Sequence, residues 1–419
     1  MPTSKLITLD IAIEHIKSNF TKISNEEVFL QKSLGRCLAQ PIYSNIDNPR
    51  YDVSSMDGYA ISYADFTELR SKSINNSKNI VKFKVNGESS AGNPYEKKNQ
   101  PFEAVRIFTG GKVPNGCDTV IIQENVNISN DPKYILTQEN VKKNQNIRKK
   151  GLDFIKGDCI FESGSLIKSR HLGSIAMTGQ AWVTVTRKPI VSILSTGNEI
   201  LRVGEQLTKN QIPSGNNLML EAMVSEFGGI PRILSIANDN ENDIYNILNE
   251  ALDSDLIITT GGVSVGKYDL IQKALKKFKG KSKNQFWKIA MRPGKPLLFS
   301  RVNNTPLIGL PGNPVSSGVC SLIFVNIAIR SMLGLNEAYP IFEKAKLNGD
   351  LPVNDERMDF VRAKINFIDG NIFASPINKQ DSSMITQFSY SDCLIVRDPY
   401  EGIKNKGELI KIFRFPNNI

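Results

Sequence analysis

Apolar residues follow two different spacings along the chain, and the change between them divides it into regions. After Lys188-Pro189, apolar runs of strand length alternate with longer runs at helical spacing. This alternation is typical of a doubly wound α/β domain built on a parallel sheet. The predicted strands are 190–194, 233–236, 256–259, 297–299 and 307–310, and the predicted helices are 218–227, 244–252, 270–278 and 315–333.

The flanking regions follow other patterns. Helical spacing occurs at 9–16 and 28–38, and again after Ser169, which is a candidate helix N-cap. Short β-rich runs separated by Gly, Pro and Asn occur between these helical stretches and after residue 336. The predicted strands there are 80–85, 104–108, 119–122, 360–365, 372–375, 393–396 and 409–413.

These patterns predict a multidomain α/β plus β protein. We expect a helical or extended N-terminal part made of residues 1–56 and 146–182, with a β domain, residues 57–145, inserted into it. We expect the doubly wound α/β domain over residues 183–335 and a β-barrel-like domain over residues 336–419.

Glycine-rich loops follow the apolar runs of the α/β region. DLIITTGGVSVG at 255–266, MRPGKP at 291–296 and GLPGNP at 309–314 each break an apolar segment. Any one of them could be an ordinary turn. Because parallel strands end at one edge of their sheet, we expect Thr196-Gly197, Thr260-Gly261-Gly262 and Pro311-Gly312-Asn313 to share a pocket. Backbone N–H groups of such loops, with basic residues nearby, favour a phosphate-rich ligand.

Composition excludes several classes of function. The 419 residues carry a formal charge of +10, but the basic residues form no aromatic-interleaved patch, so we expect no nucleic-acid partner. Two histidines and five scattered cysteines argue against a histidine-based catalytic triad and against a zinc site. The apolar run 315–329 is too short to span a bilayer, and the N-terminus lacks a signal sequence. We therefore expect a cytoplasmic protein with no membrane association.

Six motifs in order along the chain resemble the molybdopterin molybdenumtransferase family, of the MoeA type, which also forms the C-terminal part of gephyrin. They are DVSSMDGYA (52–60), IFTGG (107–111), STGNE (195–199), GGVSVG (261–266), MRPGKP (291–296) and LPGNP (310–314). The GGVSVG segment also occurs in molybdopterin adenylyltransferases of related fold. The whole set covers nearly the full chain.

The resemblance implies a central molybdopterin-binding α/β domain and a specific reaction. Molybdenum from molybdate is placed on the sulfurs of adenylylated molybdopterin, and AMP is released in a Mg²⁺-dependent step. It also implies a homodimer whose active site lies between the α/β domain of one subunit and the β domain of the other. Transient contacts with a molybdopterin adenylyltransferase and with apo-molybdoenzymes are expected partners.

The resemblance also assigns residues to the site. Activity is assigned to Asp57, Thr109, Asp153, Glu199, Asp239, Asp269, Lys288 and Arg292. Substrate contact is assigned to Thr196, Gly197, Gly261, Gly262, Ser264, Lys295, Pro311, Gly312, Asn313, Arg357, Arg362 and Ser382. Glu199 and Asp239 are the predicted Mg²⁺ ligands because Mg²⁺ prefers carboxylate oxygens, although acids in such places can also be helix caps. Lys288, Arg292 and Lys295 are the predicted partners of the oxyanion or the phosphates.

Three alternatives stay open at this point. The chain could be a molybdopterin adenylyltransferase-like enzyme, a tungstate-specific paralogue, or a non-catalytic scaffold of the gephyrin kind. Molybdate and tungstate are tetrahedral oxyanions of similar size and charge, so the sequence does not choose between them.

Overall fold

The computed structural model describes residues 6–74, 80–262, 270–278, 285–336 and 339–415. The predicted site residues Ser264 and Asp269 lie outside these ranges.

The N-terminal part contains one long helix and several short paired strands. Helix Leu9–Asn19 begins after Thr8, whose hydroxyl accepts a hydrogen bond from the Ile11 amide, and it confirms the helix predicted at 9–16. The helix predicted at 28–38 is wrong. Strand Asn25–Phe29 pairs there with Trp182–Thr186, and only a 3₁₀ turn, Leu30–Lys32, follows, because cross-strand pairing overrides local helical spacing.

Two pairs of short strands and one helix complete this part. Ile42–Tyr43 pairs with Cys159–Phe161, and Val53–Ser54 pairs with Ile147–Arg148. Helix Ser169–Met177 confirms the prediction of a helix, but its N-cap is Lys168 rather than Ser169. The Lys168 amide donates a hydrogen bond to His171 Nδ1, so the histidine side chain caps the N-terminus of this helix.

The inserted region is a six-stranded sheet with one helix. In sheet order its strands are Thr119–Ile122, Gly58–Ile61, Glu103–Ile107, Val81–Ser89, Tyr134–Thr137 and Val126–Ile128. The sequence patterns missed helix Tyr63–Ile74, in which Phe66 is buried and few other apolar residues mark an inner face. Gly58 lies at a close crossing, since a Cβ atom there would stand 1.9 Å from the Ile121 carbonyl oxygen.

The α/β region has a six-stranded mixed sheet covered on both faces, as predicted for a doubly wound fold. In sheet order its strands are Ile230–Ile233, Ile190–Ser195, Leu256–Thr260, Thr305–Leu310, Pro296–Val302 and Gln285–Lys288. The first four are parallel to one another, and Pro296–Val302 is antiparallel to both of its neighbours. Neighbouring strand residues such as Ile257 and Ile258 enter opposite apolar cores. The strand predicted at 233–236 lies three residues earlier.

Helices cover both faces of this sheet. Their bounds are Gly215–Glu226, Glu241–Glu250, Leu270–Leu275, and a long segment of α-helix Pro314–Cys320, π-helix Ser321–Val325 and α-helix Asn326–Leu333. The long segment is apolar and, with 20 residues, long enough to cross a bilayer, so the prediction that it is too short was wrong. Its most apolar window is 89% buried inside the protein, which accounts for its composition as a core helix.

The C-terminal region is a closed five-stranded barrel, which confirms the barrel-like prediction. Going round the barrel, the strands are Met358–Ile368, Asn371–Pro376, Glu343–Leu347, Leu409–Arg414 and Cys393–Arg397, which pairs again with the first. The sequence patterns missed Glu343–Leu347. Strand Met291–Arg292, from the MRPGKP loop, pairs in parallel with Met358–Asp359 and so joins the α/β region to the barrel.

Candidate functional site

Three loops meet at the carboxyl edge of the parallel strands. The Asn216 side-chain amide donates to Thr260 Oγ1 at 3.0 Å and to the Gly312 carbonyl oxygen at 2.8 Å. A Cβ atom at Gly312 would lie 3.5 Å from Gly261 Cα, so the second and third loops are in contact. Next to these loops, Thr196 forms an isolated parallel β-bridge with Ala237. The loops expected to share a pocket therefore lie side by side.

These loops enclose a cavity of about 220 Å³, which we call the α/β cavity. Its lining includes Thr196, Glu199, Ser214, Gly261 and Gly312, with apolar walls from isoleucines and prolines. Ile385, from the barrel region, closes one side. Among the described residues, no lysine or arginine lines it, and Glu199 is its one charged side chain. Any phosphate held here would rely on backbone amides, hydroxyls and helix ends.

Two buried hydroxyls in this cavity have no hydrogen-bond partner among the described residues, Thr196 Oγ1 and Ser214 Oγ. Both side chains are at least nine-tenths buried. Ser214 occupies the N-cap position of helix Gly215–Glu226, yet its hydroxyl makes no capping hydrogen bond. A buried polar group without a partner is costly, so these hydroxyls and the first amides of the helix suit a polar ligand.

Glu199 and Asp239 lie in adjacent loops. The Asn198 amide donates to Asp239 Oδ2 at 3.4 Å, and the Asp239 amide donates to Asn198 Oδ1 at 3.0 Å. The Glu199 carboxylate lies against Gly197, since a Cβ atom added at Gly197 would stand 2.7 Å from Glu199 Oε2. Both acids are exposed. Within the described parts of the chain, no group of three acidic, histidine or cysteine side chains is close enough to hold a metal by itself.

Asp57 and Thr109 come together in the inserted sheet, 52 residues apart in sequence. The Thr109 amide donates to Asp57 Oδ1 at 2.7 Å and its hydroxyl donates to the same oxygen at 2.8 Å. These donors, the amide first, lower the pKa of Asp57, and the charge of Arg106 adds to the effect. Neither Asp57 nor Thr109 lines the α/β cavity of its own chain.

A second cavity, of about 230 Å³, lies where the MRPGKP loop meets the barrel, and we call it the barrel cavity. Arg362 lines it and is only 1% exposed. Its guanidinium donates to Gln380 Oε1 at 3.2 Å and to the carbonyl oxygens of Asp381 and Lys379 at 2.9 and 3.2 Å. It forms no ion pair with a described residue. A buried guanidinium without a carboxylate partner is a candidate oxyanion ligand.

Arg292, also in the lining, is paired differently. It donates to both carboxylate oxygens of Asp359 and to Asp355 Oδ2. Arg357 donates to the same Asp355 carboxylate at 2.6 Å. These interactions, that with Arg357 first, lower the pKa of Asp355 to about 2. Arg292, predicted for activity, and Arg357, predicted for substrate contact, are thus held in one ion-pair network.

One short segment separates the two cavities. Gln380 lines the barrel cavity and Ile385 lines the α/β cavity. Between them, Ser382 accepts a hydrogen bond from Asn313 at its hydroxyl, 2.9 Å, and from Val315 at its carbonyl oxygen, 3.1 Å. Five extended residues span at most about 18 Å, so the cavities are near neighbours.

The remaining predicted residues lie elsewhere or make few contacts. Lys295 is exposed, Lys288 is half-buried, and neither forms an ion pair with a described residue. Asp153 accepts a hydrogen bond from Asn48 and lines a separate surface groove. Sequence reasoning missed four residues that shape the two cavities: Ser214, Asn216, Asp355 and Asp359. Their signals were a serine before a predicted helix and the acidic run NDERMD at 354–359.

Comparison with known proteins covers nearly the whole chain. The family model of the MoeA N-terminal region (domain I and II) matches residues 7–179, that of the probable molybdopterin binding domain matches 192–331, and that of the MoeA C-terminal region (domain IV) matches 344–415. A molybdopterin molybdenumtransferase from Haemophilus influenzae is 34% identical over 393 residues, covering 93% of this chain and 94% of that protein.

Two other relatives agree. A molybdopterin molybdenumtransferase from Bacillus subtilis is 32% identical over 394 residues, covering 93% of this chain and 90% of that protein. The crystal structure of a molybdopterin biosynthesis MoeA protein from Pyrococcus horikosii superimposes with a TM-score of 0.82 at 29% identity, covering 98% of this chain and 99% of that one. The chain therefore belongs to the molybdopterin molybdenumtransferase family and is a transferase.

Proposed function

We propose that this protein inserts molybdenum into molybdopterin in molybdenum cofactor biosynthesis. The substrates are adenylylated molybdopterin and molybdate, and the phosphoanhydride is hydrolysed to release AMP. The observation that carries the proposal is the adjacency of two cavities with different chemistry. Within the described residues, one offers hydroxyls without partners and helix amides, and the other offers a buried guanidinium whose hydrogen bonds go to neutral oxygens.

The α/β cavity is the proposed site for the nucleotide-linked pterin. Its apolar walls suit a flat heterocycle, and Thr196, Ser214 and the start of helix Gly215–Glu226 suit ring or phosphate oxygens. Gly261 and Gly312 bring backbone close to the ligand without side chains in the way. Family members named molybdopterin molybdenumtransferase support this choice of substrate.

The barrel cavity is the proposed molybdate site. Arg362 presents a guanidinium fixed by three oxygen acceptors, which is suited to an oxyanion. Ser382 lies on the segment that separates the cavities and is next in the chain to Asp381, whose carbonyl accepts from Arg362. Molybdate held here would be adjacent to a pterin in the α/β cavity.

Mg²⁺ is the proposed cofactor, and the donor set fits it. Mg²⁺ commonly takes one or two protein carboxylates and completes its six ligands with water and substrate phosphate, so two acids are enough. Glu199 and Asp239 would hold it, joined through Asn198. When bound, Mg²⁺ would stabilise negative charge that develops on phosphate oxygens. It would also offset the charge of Glu199, the one charged group among the described residues that line the α/β cavity.

Asp57 and Thr109 complete the proposed site from a second subunit. The paired amide and hydroxyl of Thr109 lower the pKa of Asp57 and fix the direction of its carboxylate, which suits a group that orients water or metal. In its own chain, the pair does not line the α/β cavity, which fits a homodimer in which the inserted region of one subunit reaches the α/β cavity of the other. Cytoplasmic location and contacts with an adenylyltransferase and apo-molybdoenzymes remain part of this proposal.

The test follows AMP release from adenylylated molybdopterin by the purified protein. Reactions contain Mg²⁺ with molybdate, Mg²⁺ with tungstate, or Mg²⁺ with no oxyanion. We expect AMP release that depends on the oxyanion, and the ratio of the first two rates measures the preference between molybdate and tungstate. Stable substrate in every arm despite tight binding would support the scaffold alternative.

Variants separate the two cavities in the same assay. Asp57→Ala and Glu199→Ala should abolish AMP release and leave the circular dichroism spectrum unchanged. Arg362→Met should raise the molybdate concentration needed for half-maximal rate and leave binding of the adenylylated substrate intact. Full turnover by Asp57→Ala and Glu199→Ala would refute their assigned roles. Production of adenylylated molybdopterin from ATP and bare molybdopterin would instead identify an adenylyltransferase.

A further inference from the structure

Three arginines line the barrel cavity within the described part of the chain, and they differ in what neutralises them. Arg397, nearly buried, pairs with Glu401 and donates to the carbonyl oxygens of Pro352, Glu401 and Gly402. Arg292 pairs with two carboxylates. Arg362 donates its hydrogen bonds to neutral oxygen acceptors, and the carboxylates of Asp381 and Asp359 act on it only through their charge. Among these three arginines, Arg362 is therefore the one with no carboxylate bonded to its guanidinium within the described residues.

The pairing of Arg292 uses most of its donors. Nε reaches Asp359 Oδ1 at 3.1 Å, Nη2 donates to Asp359 Oδ2, and Nη1 reaches Asp355 Oδ2 at 3.0 Å. Nη2 also faces Asn354 Oδ1 at 3.4 Å. Asp359 is largely buried, its side chain 15% exposed. An oxyanion can use the Arg292 fork only by displacing one of these carboxylates.

We propose that Asp355 and Asp359 are positioning residues that set the affinity of the barrel cavity for oxyanions. They bind the guanidinium of Arg292 and so leave Arg362 as the cation that the ligand meets. The inference rests on the proposed function of the cavity as the molybdate site. The bound anion is a tetrahedral dianion, molybdate or tungstate. Asp359 lines the cavity and Asp355 acts on it through its ion pair with Arg292, and together the two carboxylates hold the affinity below what two free guanidiniums would give.

Electrostatics explains why this arrangement suits a transfer reaction. A dianion between two unpaired guanidiniums, one of them buried as Arg362 is, would be held strongly, because attraction between charges rises where water is excluded. A substrate held that strongly would be transferred slowly wherever the attraction is lost on the way to the transition state, since only interactions that strengthen in the transition state accelerate the chemical step. The same contacts shift both partners: Arg357 first, and then the charge of Arg292, lower the pKa of Asp355, and the hydrogen bond to Asp359 raises the pKa of Arg292.

A purely mechanical role for the same ion pairs makes the opposite prediction. Strand Met291–Arg292 lies against Met358–Asp359, so the pairs could serve only to hold the MRPGKP loop on the barrel. Breaking them would then loosen the loop and weaken oxyanion binding. The sign of the change in affinity therefore distinguishes the two roles.

The experiment compares Asp359→Asn and Asp355→Asn with the full-length wild-type protein. Asp355 is more exposed than Asp359, so its variant is the safeguard if Asp359→Asn does not fold. The matched control is Asp255→Asn. Asp255 forms a bidentate ion pair with Arg187 and its side chain is 15% exposed, as that of Asp359 is, but it lines neither cavity. Isothermal titration calorimetry at constant ionic strength gives the Kd for sodium molybdate, and the AMP assay gives KM for molybdate and kcat.

We expect Asp359→Asn to lower the molybdate Kd about tenfold, the effect of about 1.4 kcal/mol. KM should fall with Kd while kcat falls or stays constant, and Asp355→Asn should show a smaller change in the same direction. Asp255→Asn should bind molybdate as the wild type does. If the wild type binds molybdate and both variants fold but bind molybdate no more tightly than the wild type, this inference is overturned and the proposed function is not. Failure of the wild type to bind molybdate would overturn the proposed function and this inference with it.

Discussion

Gly261 offers the most direct test of how the loops of the α/β cavity are packed. Its φ is +84°, and a Cβ atom there would lie 2.6 Å from the Thr196 carbonyl oxygen and 3.1 Å from Thr196 Oγ1. The near atom belongs to backbone at the end of a buried strand, so it cannot turn away as a side chain would. Gly261→Ala must therefore both strain its own backbone and separate two loops.

The magnitude follows from these two effects. A left-handed conformation costs alanine about 1–2 kcal/mol relative to glycine. Forcing a methyl group into a filled space costs about 1–3 kcal/mol more. We therefore expect Gly261→Ala to lower the free energy of unfolding by about 2–5 kcal/mol.

The control is Gly204→Ala in the same region of the chain. Gly204 has φ +96° and no heavy atom within 4 Å of a Cβ atom, so it carries the conformational cost without the contact cost. Any stiffening of the unfolded chain by alanine is the same in both variants and cancels. Urea unfolding followed by circular dichroism gives the difference, which should be about 1–3 kcal/mol. Equal stability of the two variants would refute the contact between Gly261 and Thr196.

Three further predictions concern single side chains. Thr109→Val should raise the pKa of Asp57 toward its ordinary value, because one of its two hydrogen-bond donors is lost, and it should also slow AMP release. The pKa is measured by carboxyl ¹³C NMR titration, and an unchanged pKa would contradict this prediction. Asp355, with its pKa lowered from 3.8 to about 2, adds stability at neutral pH that is lost as the pH falls from 3.8 toward 2. The urea midpoint should therefore fall more steeply in the wild type than in Asp355→Asn, and parallel curves would argue against the effect. Glu199→Gln should weaken Mg²⁺ binding about tenfold by calorimetry, since a ligating charge is removed, and an unchanged affinity would exclude Glu199 as a ligand.

Local sequence patterns predicted most of the architecture. Alternation of buried apolar runs predicted the parallel strands around 190–194, 256–259 and 307–310, because strand and helix periods differ and each buries one set of positions. Glycine-rich turns after these strands predicted where the loops meet. Failures occurred where pairing with distant residues overrode local spacing, as in Asn25–Phe29 against Trp182–Thr186.

The chemistry of the site depended on the tertiary structure. Sequence motifs named Thr196, Arg292 and Arg362, but not which hydroxyls lack partners or which guanidinium is bonded to a carboxylate among the described residues. Arg292 meets its carboxylates 63 and 67 residues further along the chain, and no local pattern predicts that contact. Burial and charge pairing depend on the surroundings of a side chain, and for Arg292 those surroundings form only where the MRPGKP loop meets the barrel. The residue types were thus readable from the sequence, whereas the charge each offers to a ligand was decided by the fold.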